Sequence, residues 1–214
     1  MSDWSLDRQA RCRLIEATGL DHAFGTREHP AGEGAVTVDQ VHGAALVDLA
    51  SWSGPEQQAD GLIAAPVSRP IAVRTADCAP VLIAAQDGSC AAAVHAGWRG
   101  AAAGIVPKAV AKLAAPPERL VAAIGPTIGA CCYQVDRTVF DAFPDATESF
   151  REDGAGHWRF SLSAAIRQQL ERAGLPAPAI SVAPWCTACE ASQFHSFRRD
   201  GAAAGRQFSR IGPA

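Results

Sequence analysis

At 214 residues and 48% hydrophobic content, the chain is long enough for one sizeable domain with a core of its own. Its 19 Lys and Arg against 22 Asp and Glu leave a formal charge of -3, so no basic surplus draws it to phosphate backbones or anionic lipid, and neither nucleic acid nor membrane is expected as a partner. The opening MSDWSLDRQARCRLIEATG lacks an apolar export region and no window approaches about 18 uninterrupted apolar residues, so a cytoplasmic location is expected, where seven cysteines read as thiols or metal ligands.

Residues 1–20 form an N-terminal extension, or the first strand and helix, of a single domain spanning 1–214. HAFGTREHPAGEG (22–34) reads as a strand or turn running into a loop, and AVTVDQVHGAALVDL (35–49) as a strand pair around a His42-Gly43 turn. In IAVRTADCAPVLIAA (71–85) an acidic residue, a thiol and a proline interrupt an apolar run. VLIAAQ and SCAAAVHA, joined by Asp87-Gly88, predict a two-residue hairpin. Counting outward from that turn sets Pro80 opposite His95, and Cys78 projects to the same side if the backbone stays extended.

AGWRGAAAG (96–104) is a glycine-punctuated turn leading to a helix through IVPKAVAKLAA, with Pro107 tolerable only near its first turn. LVAAIG (120–125) is a further buried strand. In SLSAAIRQQLERAG, Leu162, Ile166 and Leu170 recur at helical spacing before a stop at Gly174. AISVAPWCTAC is a strand followed by a cysteine-bearing turn. A tight hairpin among interleaved helices excludes a purely parallel sheet, so the fold class is mixed α/β (α+β), with layered sheets of mixed and antiparallel strands.

Cys78 and His95 at one hairpin end offer a soft sulfur and an imidazole. With His42, at another strand-to-turn boundary, they would complete the three protein ligands of an open zinc site. The same pair also suits a cysteine nucleophile with His95 as its base. Asp77 then orients a histidine; in the metal reading it carries a proton beside a bound water, and in the plainest reading it caps the turn. Single buried cysteines and turn histidines are commonly structural, and it is their convergence that raises the metal reading.

Cys131 and Cys132 read as two partly buried thiols with no catalytic role. Cys186-Thr-Ala-Cys189 reads as structural thiols, because a structural zinc site needs a second pair and only the adjacent doublet is available. Arg27, Arg99 and the cluster Arg198, Arg199 and Arg206 offer forks for phosphate. Trp98, Phe24 and Trp185 suit core packing or stacking on a flat ring.

Taken in order, QVHG (40–43), ADG (59–61), TADCAPV, HAGWRG, GPTIGACCYQV and FRRDGAAAGR resemble the YfiH family over about residues 22–211. That group is described both as polyphenol oxidoreductase laccase domains and as purine nucleoside phosphorylase and adenosine deaminase enzymes. The resemblance implies an α-β-β-α layered sandwich and a zinc site of His42, Cys78 and His95, with copper an alternative occupant. It implies a purine nucleoside pocket with Arg27, Gln40 and Arg99 on substrate and phosphate, and Cys78, Asp77 and His95 as catalytic candidates. The activities it implies are phosphorolysis of adenosine, inosine or methylthioadenosine to free base and ribose 1-phosphate, and adenosine deamination. Alternatives are a peptidoglycan-precursor editing amidase that uses Cys78 and His95 to remove misincorporated L-Ser, and a copper-dependent polyphenol oxidase, for which six histidines in the whole chain are few. The segment before QVHG is short, GTREHPAGEGAVTVD, and SLSAAIR replaces an Asp-Leu start common in the family.

Overall fold

The hairpin through Asp87-Gly88 forms with the register that turn chemistry dictates, Pro80 pairing with His95 and Ala84 with Ala91. A computed structural model describes residues 2–214. The first elements are β1 (Trp4–Leu6), β2 (Ala10–Cys12), α1 (Arg13–Glu16), β3 (Asp21–Phe24), β4 (Leu46–Asp48), β5 (Gly61–Ala64) and β6 (Ile71–Thr75). The hairpin strands follow as β7 (Ala79–Ala85) and β8 (Ala91–Ala96), then α2 (Trp98–Ala102), α3 (Ile105–Lys112) and β9 (Leu120–Ile124). The last third holds β10 (Gln134–Asp136), α4 (Arg137–Asp141), β11 (Phe150–Glu152), β12 (His157–Phe160), α5 (Leu162–Arg172), β13 (Ile180–Val182), α6 (Phe197–Asp200) and β14 (Gln207–Gly212).

A six-stranded sheet in the order β13-β9-β7-β8-β5-β4 faces a five-stranded sheet in the order β1-β2-β3-β14-β6, and β10-β12-β11 form a small third sheet. Pairing is antiparallel through the centre of the larger sheet and parallel at its two edges, β13 with β9 and β4 with β5. This is the mixed α/β sandwich expected from the interleaved pattern.

Strand β7 explains the layering, because its side chains alternate between two cores. Leu82 and Ala84 point between the sheets with Leu62, Ile71, Val73 and Ile211. Val81 and Ile83 point the other way, onto Ile105, Val106 and Ala109 of α3 and Ala165, Ile166 and Leu170 of α5. Leu82 is wholly buried, and truncating it to alanine would cost about 2–5 kcal/mol through lost transfer and a residual cavity. Helix α5 starts where the Ser161 hydroxyl accepts from the Ala164 amide at 3.3 Å, and Gly174 at φ +100° ends it as its spacing requires.

Two local expectations are corrected. The segment around His42-Gly43 is not a strand pair: Val36 bridges Ile71 while β4 runs parallel to β5, so its two flanks serve different sheets. AGWRG is not merely a turn, for Gly97 caps a short helix, α2. The interruption at TADC has a topological cause, since β6 belongs to the five-stranded sheet and β7 to the six-stranded one. Ala76, Asp77 and Cys78 carry the chain from one layer to the other, with Asp77 at φ +87° making the corner.

Candidate metal centre and its pocket

At this crossover the expected trio meets. The ligand atoms of His42, Cys78 and His95 all lie within 4.8 Å of one another, and the two imidazole rings are 4.8 Å apart between centroids. His95 stands on β8 and faces the gap between the sheets with Ala91 and Ala93. Cys78 does not follow an extended path as the register count supposes; the turn at Asp77 delivers its sulfur instead.

Gly97 completes the cradle. A β-carbon there would stand 3.1 Å from Cys78 Sγ, 3.3 Å from His42 Nδ1 and 3.9 Å from the His95 ring, so a side chain would intrude on the space the three donors share. One thiolate and two imidazoles around a side-chain-free gap fit a divalent cation with a further position open to solvent or substrate.

Asp60 positions both histidines, a role that its place in ADG does not by itself disclose. It is fully buried; one carboxylate oxygen accepts from the His42 amide at 2.9 Å and lies 2.8 Å from His95 Nδ1, and the other accepts from the Gly43 amide at 2.6 Å. The Gly43 contact and His42 at φ +60° explain why this turn is fastened to Asp60 instead of closing a hairpin. Burial works to raise the Asp60 carboxyl, but the His95 hydrogen bond and the Gly43 and His42 amides outweigh it and hold it below its ordinary range. A proton on His95 Nδ1, donated to Asp60, leaves Nε2 as the lone pair for a metal.

Without a metal the same geometry makes an ion pair. Burial opposes a charged Cys78, yet hydrogen bonds from His42 and His95 prevail and bring the thiol down to about 6. Burial likewise opposes a charged His95, and Asp60 with Cys78 overrides it, lifting the imidazole to about 9.

Asp77 accepts on both carboxylate oxygens, from Thr187 Oγ1 and from the Arg198 amide, each at 2.6 Å. Its carbonyl accepts from Thr127 Oγ1 at 2.6 Å and the Ile128 amide at 3.0 Å. So tied, it suits holding the corner beside Cys78 better than the proton transfer expected from its place in TADC.

The trio opens into a pocket of about 520 Å³ whose wall includes Gln40, Arg74, Arg99, Tyr133, Arg198 and Arg206. Gln40 lies on this wall with its amide paired to the Arg74 backbone at 2.7 and 2.8 Å. Arg99 lies over its neighbour Trp98, 4.2 Å from the ring centroid, and Arg198 lies 5.3 Å from the Tyr133 ring. Arg27 is not among the lining residues; it faces Asp200 at 3.6 Å, so one expected phosphate contact is not brought to the cavity. Arg199 is committed to Asp200 and to the carbonyls of Thr187, Ala188 and Phe194. Arg74 is a pocket residue that the sequence reading misses, although a charge inside IAVRT is a usable signal; Tyr133 carries none. Phe24 and Trp185 pack in the core between the sheets, while Trp98 reaches the pocket.

Residues 20–214 match the family model described as multi-copper polyphenol oxidoreductase laccase. A purine nucleoside phosphorylase of Xylella fastidiosa (strain 9a5c) is 38% identical over 194 residues, spanning 89% of this chain and 72% of its own. The crystal structure of Bacillus licheniformis hypothetical protein YfiH superposes with a TM-score of 0.90 at 26% identity, covering 100% of both chains. That of YlmD from Geobacillus stearothermophilus superposes with a TM-score of 0.88 at 27% identity, covering 100% of this chain and 99% of the other.

Proposed function

Because the chain belongs to the YfiH family of multi-copper polyphenol oxidoreductase laccase proteins, we propose that it is a zinc-dependent purine nucleoside phosphorylase, with adenosine deamination as a second activity of the same pocket. The observation that carries the reading is a single cavity lined both by the donors His42, Cys78 and His95 and by four arginines, Arg74, Arg99, Arg198 and Arg206.

Phosphorolysis joins phosphate to C1' of the ribose as the bond to the base breaks, so a site must hold a dianion beside a neutral sugar and a flat ring. The arginines hold the phosphate, Arg99 and Arg198 being stiffened by Trp98 and Tyr133 beneath them. Phe197, exposed at the pocket, and Tyr133 offer faces for the purine. His42, Cys78 and His95 would hold the metal, Asp60 keeps the proton on His95 Nδ1, and Asp77 fixes the corner that presents Cys78. When bound, zinc supplies Lewis acidity toward a substrate oxygen or nitrogen.

Copper-dependent phenol oxidation is the weaker reading, since the donor groupings among the described residues hold two histidines and none, short of a histidine-rich copper cluster. A cysteine amidase acting on a cell-wall precursor is favoured by one observation, the Cys78 thiol held at about 6 between two imidazoles. Incubation with adenosine and phosphate tests the proposal by release of adenine and ribose 1-phosphate. Incubation with adenosine alone tests deamination by inosine, and a serine-bearing muropeptide precursor tests the amidase by free serine. Chelation abolishes the first two activities and spares the third; turnover of adenosine that persists in fully chelated protein sinks the zinc reading.

A further inference from the structure

We propose that Cys131, Cys132, Cys186 and Cys189 form a second metal centre, in which four thiolates bind one thiophilic divalent cation of the zinc type. The four sulfurs come from the GACCY loop and the CTAC turn, 57 residues apart at Cys132 and Cys189, and all lie within 4.8 Å of one another. Cys189 Sγ stands 3.6 Å from Cys131 Sγ and 3.4 Å from Cys132 Sγ. Four sulfurs at about 2.3 Å from a tetrahedral zinc lie about 3.8 Å apart, so the cluster needs only a small adjustment around an ion. All four are free thiols, and exposed or half-buried ones.

Backbone and arginine contacts fix the two loops around the sulfurs. The Gly129 amide donates to Cys186 Sγ at 3.2 Å, and a β-carbon on Gly129 would crowd Cys131 Sγ and the Cys186 β-carbon, each at 3.2 Å. Four thiolates and one divalent cation carry a net charge of about -2. Three guanidinium groups lie on the backbone of these loops: Arg159 on the Cys131 carbonyl at 2.9 Å, Arg198 on the Cys132 carbonyl at 3.2 Å, and Arg199 on the Thr187 carbonyl at 2.9 Å. A cysteine doublet facing a CxxC turn, with all four sulfurs this close, supplies the donor set of a tetrahedral thiolate site. Binding releases the thiol protons to solvent and involves no redox change.

The ion would fasten together two of the segments that hold Asp77. Thr127 and Ile128 precede the doublet and bind the Asp77 carbonyl, while Thr187 lies inside the CTAC turn and binds its carboxylate. The stretch around the doublet contributes Ile128 and Tyr133 to the pocket wall, and α6, beyond the CTAC turn, contributes Phe197 and Arg198. The second centre is therefore a structural clamp on one part of the pocket wall.

The test uses the full chain purified with reductant. Loading with Zn2+ is expected to give about two equivalents per chain, with Cys186→Ser and Cys189→Ser each losing about one and Cys78→Ser losing the other. Because a clamp variant can misfold, Co2+ is also loaded into Cys78→Ser, where intense thiolate-to-cobalt charge transfer with tetrahedral visible bands is expected. In the wild type, Zn2+ should protect these four cysteines from alkylation and chelation should expose them. Cobalt-loaded Cys78→Ser without thiolate charge transfer, or four cysteines alkylated equally with and without Zn2+, would overturn the proposal. So would isolation of the reduced-purified protein with the four paired as disulfides.

Discussion

His95 Nδ1 lies 2.8 Å from an oxygen of Asp60, and that same oxygen accepts the His42 amide at 2.9 Å, so one buried carboxylate orients two candidate metal ligands from different loops. Asp60→Asn keeps the shape but removes the charge and leaves one end of the amide facing donors. Zinc affinity should fall about 10–100-fold, the usual effect of losing a carboxylate behind a ligating histidine. Asp60→Ala, which orphans three donors, should also lower stability by about 1–3 kcal/mol for each buried group left unpaired. Competitive zinc titration and urea unfolding measure both, and wild-type affinity in Asp60→Asn would refute the assignment.

Gly97→Ala should separate folding from metal binding. Gly97 has φ -73°, which alanine adopts freely, so the backbone tolerates the change. Its new methyl would stand 3.1 Å from Cys78 Sγ. The melting temperature should hold while zinc occupancy drops; unchanged occupancy would mean that the donors do not converge on this gap.

Cys78 in chelated protein should alkylate with a midpoint near pH 6, whereas an unperturbed thiol titrates near pH 8.5. The depressed Cys78 contributes stability that is lost as pH falls through about 6, and the raised His95 contributes stability that is lost as pH rises through about 9. Metal-free protein should therefore be most stable between these values. Peptide-level iodoacetamide labelling across pH reads the midpoint, and added Zn2+ should abolish the labelling.

A separate acid transition is expected from His22, which is fully buried on β3, accepts the Cys12 amide at 2.8 Å on Nε2 and has no partner for Nδ1 among the described residues. Burial, then the nearby Arg11, lowers its imidazole to about 4. The neutral form is the folded form, so stability is complete above about 6.5 and is lost as pH falls toward 4, by up to about 3 kcal/mol. His22→Gln should flatten the pH dependence of denaturant unfolding in that window; an unchanged slope would assign the acid transition elsewhere.

Phosphate recognition gives a paired comparison. Arg206→Ala, on the pocket wall, should raise KM for phosphate more than KM for nucleoside. Arg27→Ala, set against Asp200 outside the lining, should leave the phosphate KM near wild type. The reverse pattern would restore the sequence-based assignment of Arg27.

Features that depend on neighbours along the chain are legible in the sequence itself. The pairing of Pro80 with His95 follows from a two-residue turn and a period of two, and α5 follows from the spacing of Leu162, Ile166 and Leu170 and a terminal glycine. The trio of His42, Cys78 and His95 follows partly from that register and partly from family resemblance. Other relationships are decided only by tertiary structure. No local rule says that the chain changes sheets at Asp77, that Asp60 lies beneath two histidines, or that Arg27 stands away from the cavity. Nor does one say that Cys131 and Cys132 meet Cys186 and Cys189. A hairpin's register is set by turn geometry and strand period, which adjacent residues carry. The meeting of segments more than fifty positions apart is set by which apolar faces share a core, and only the folded sandwich settles that.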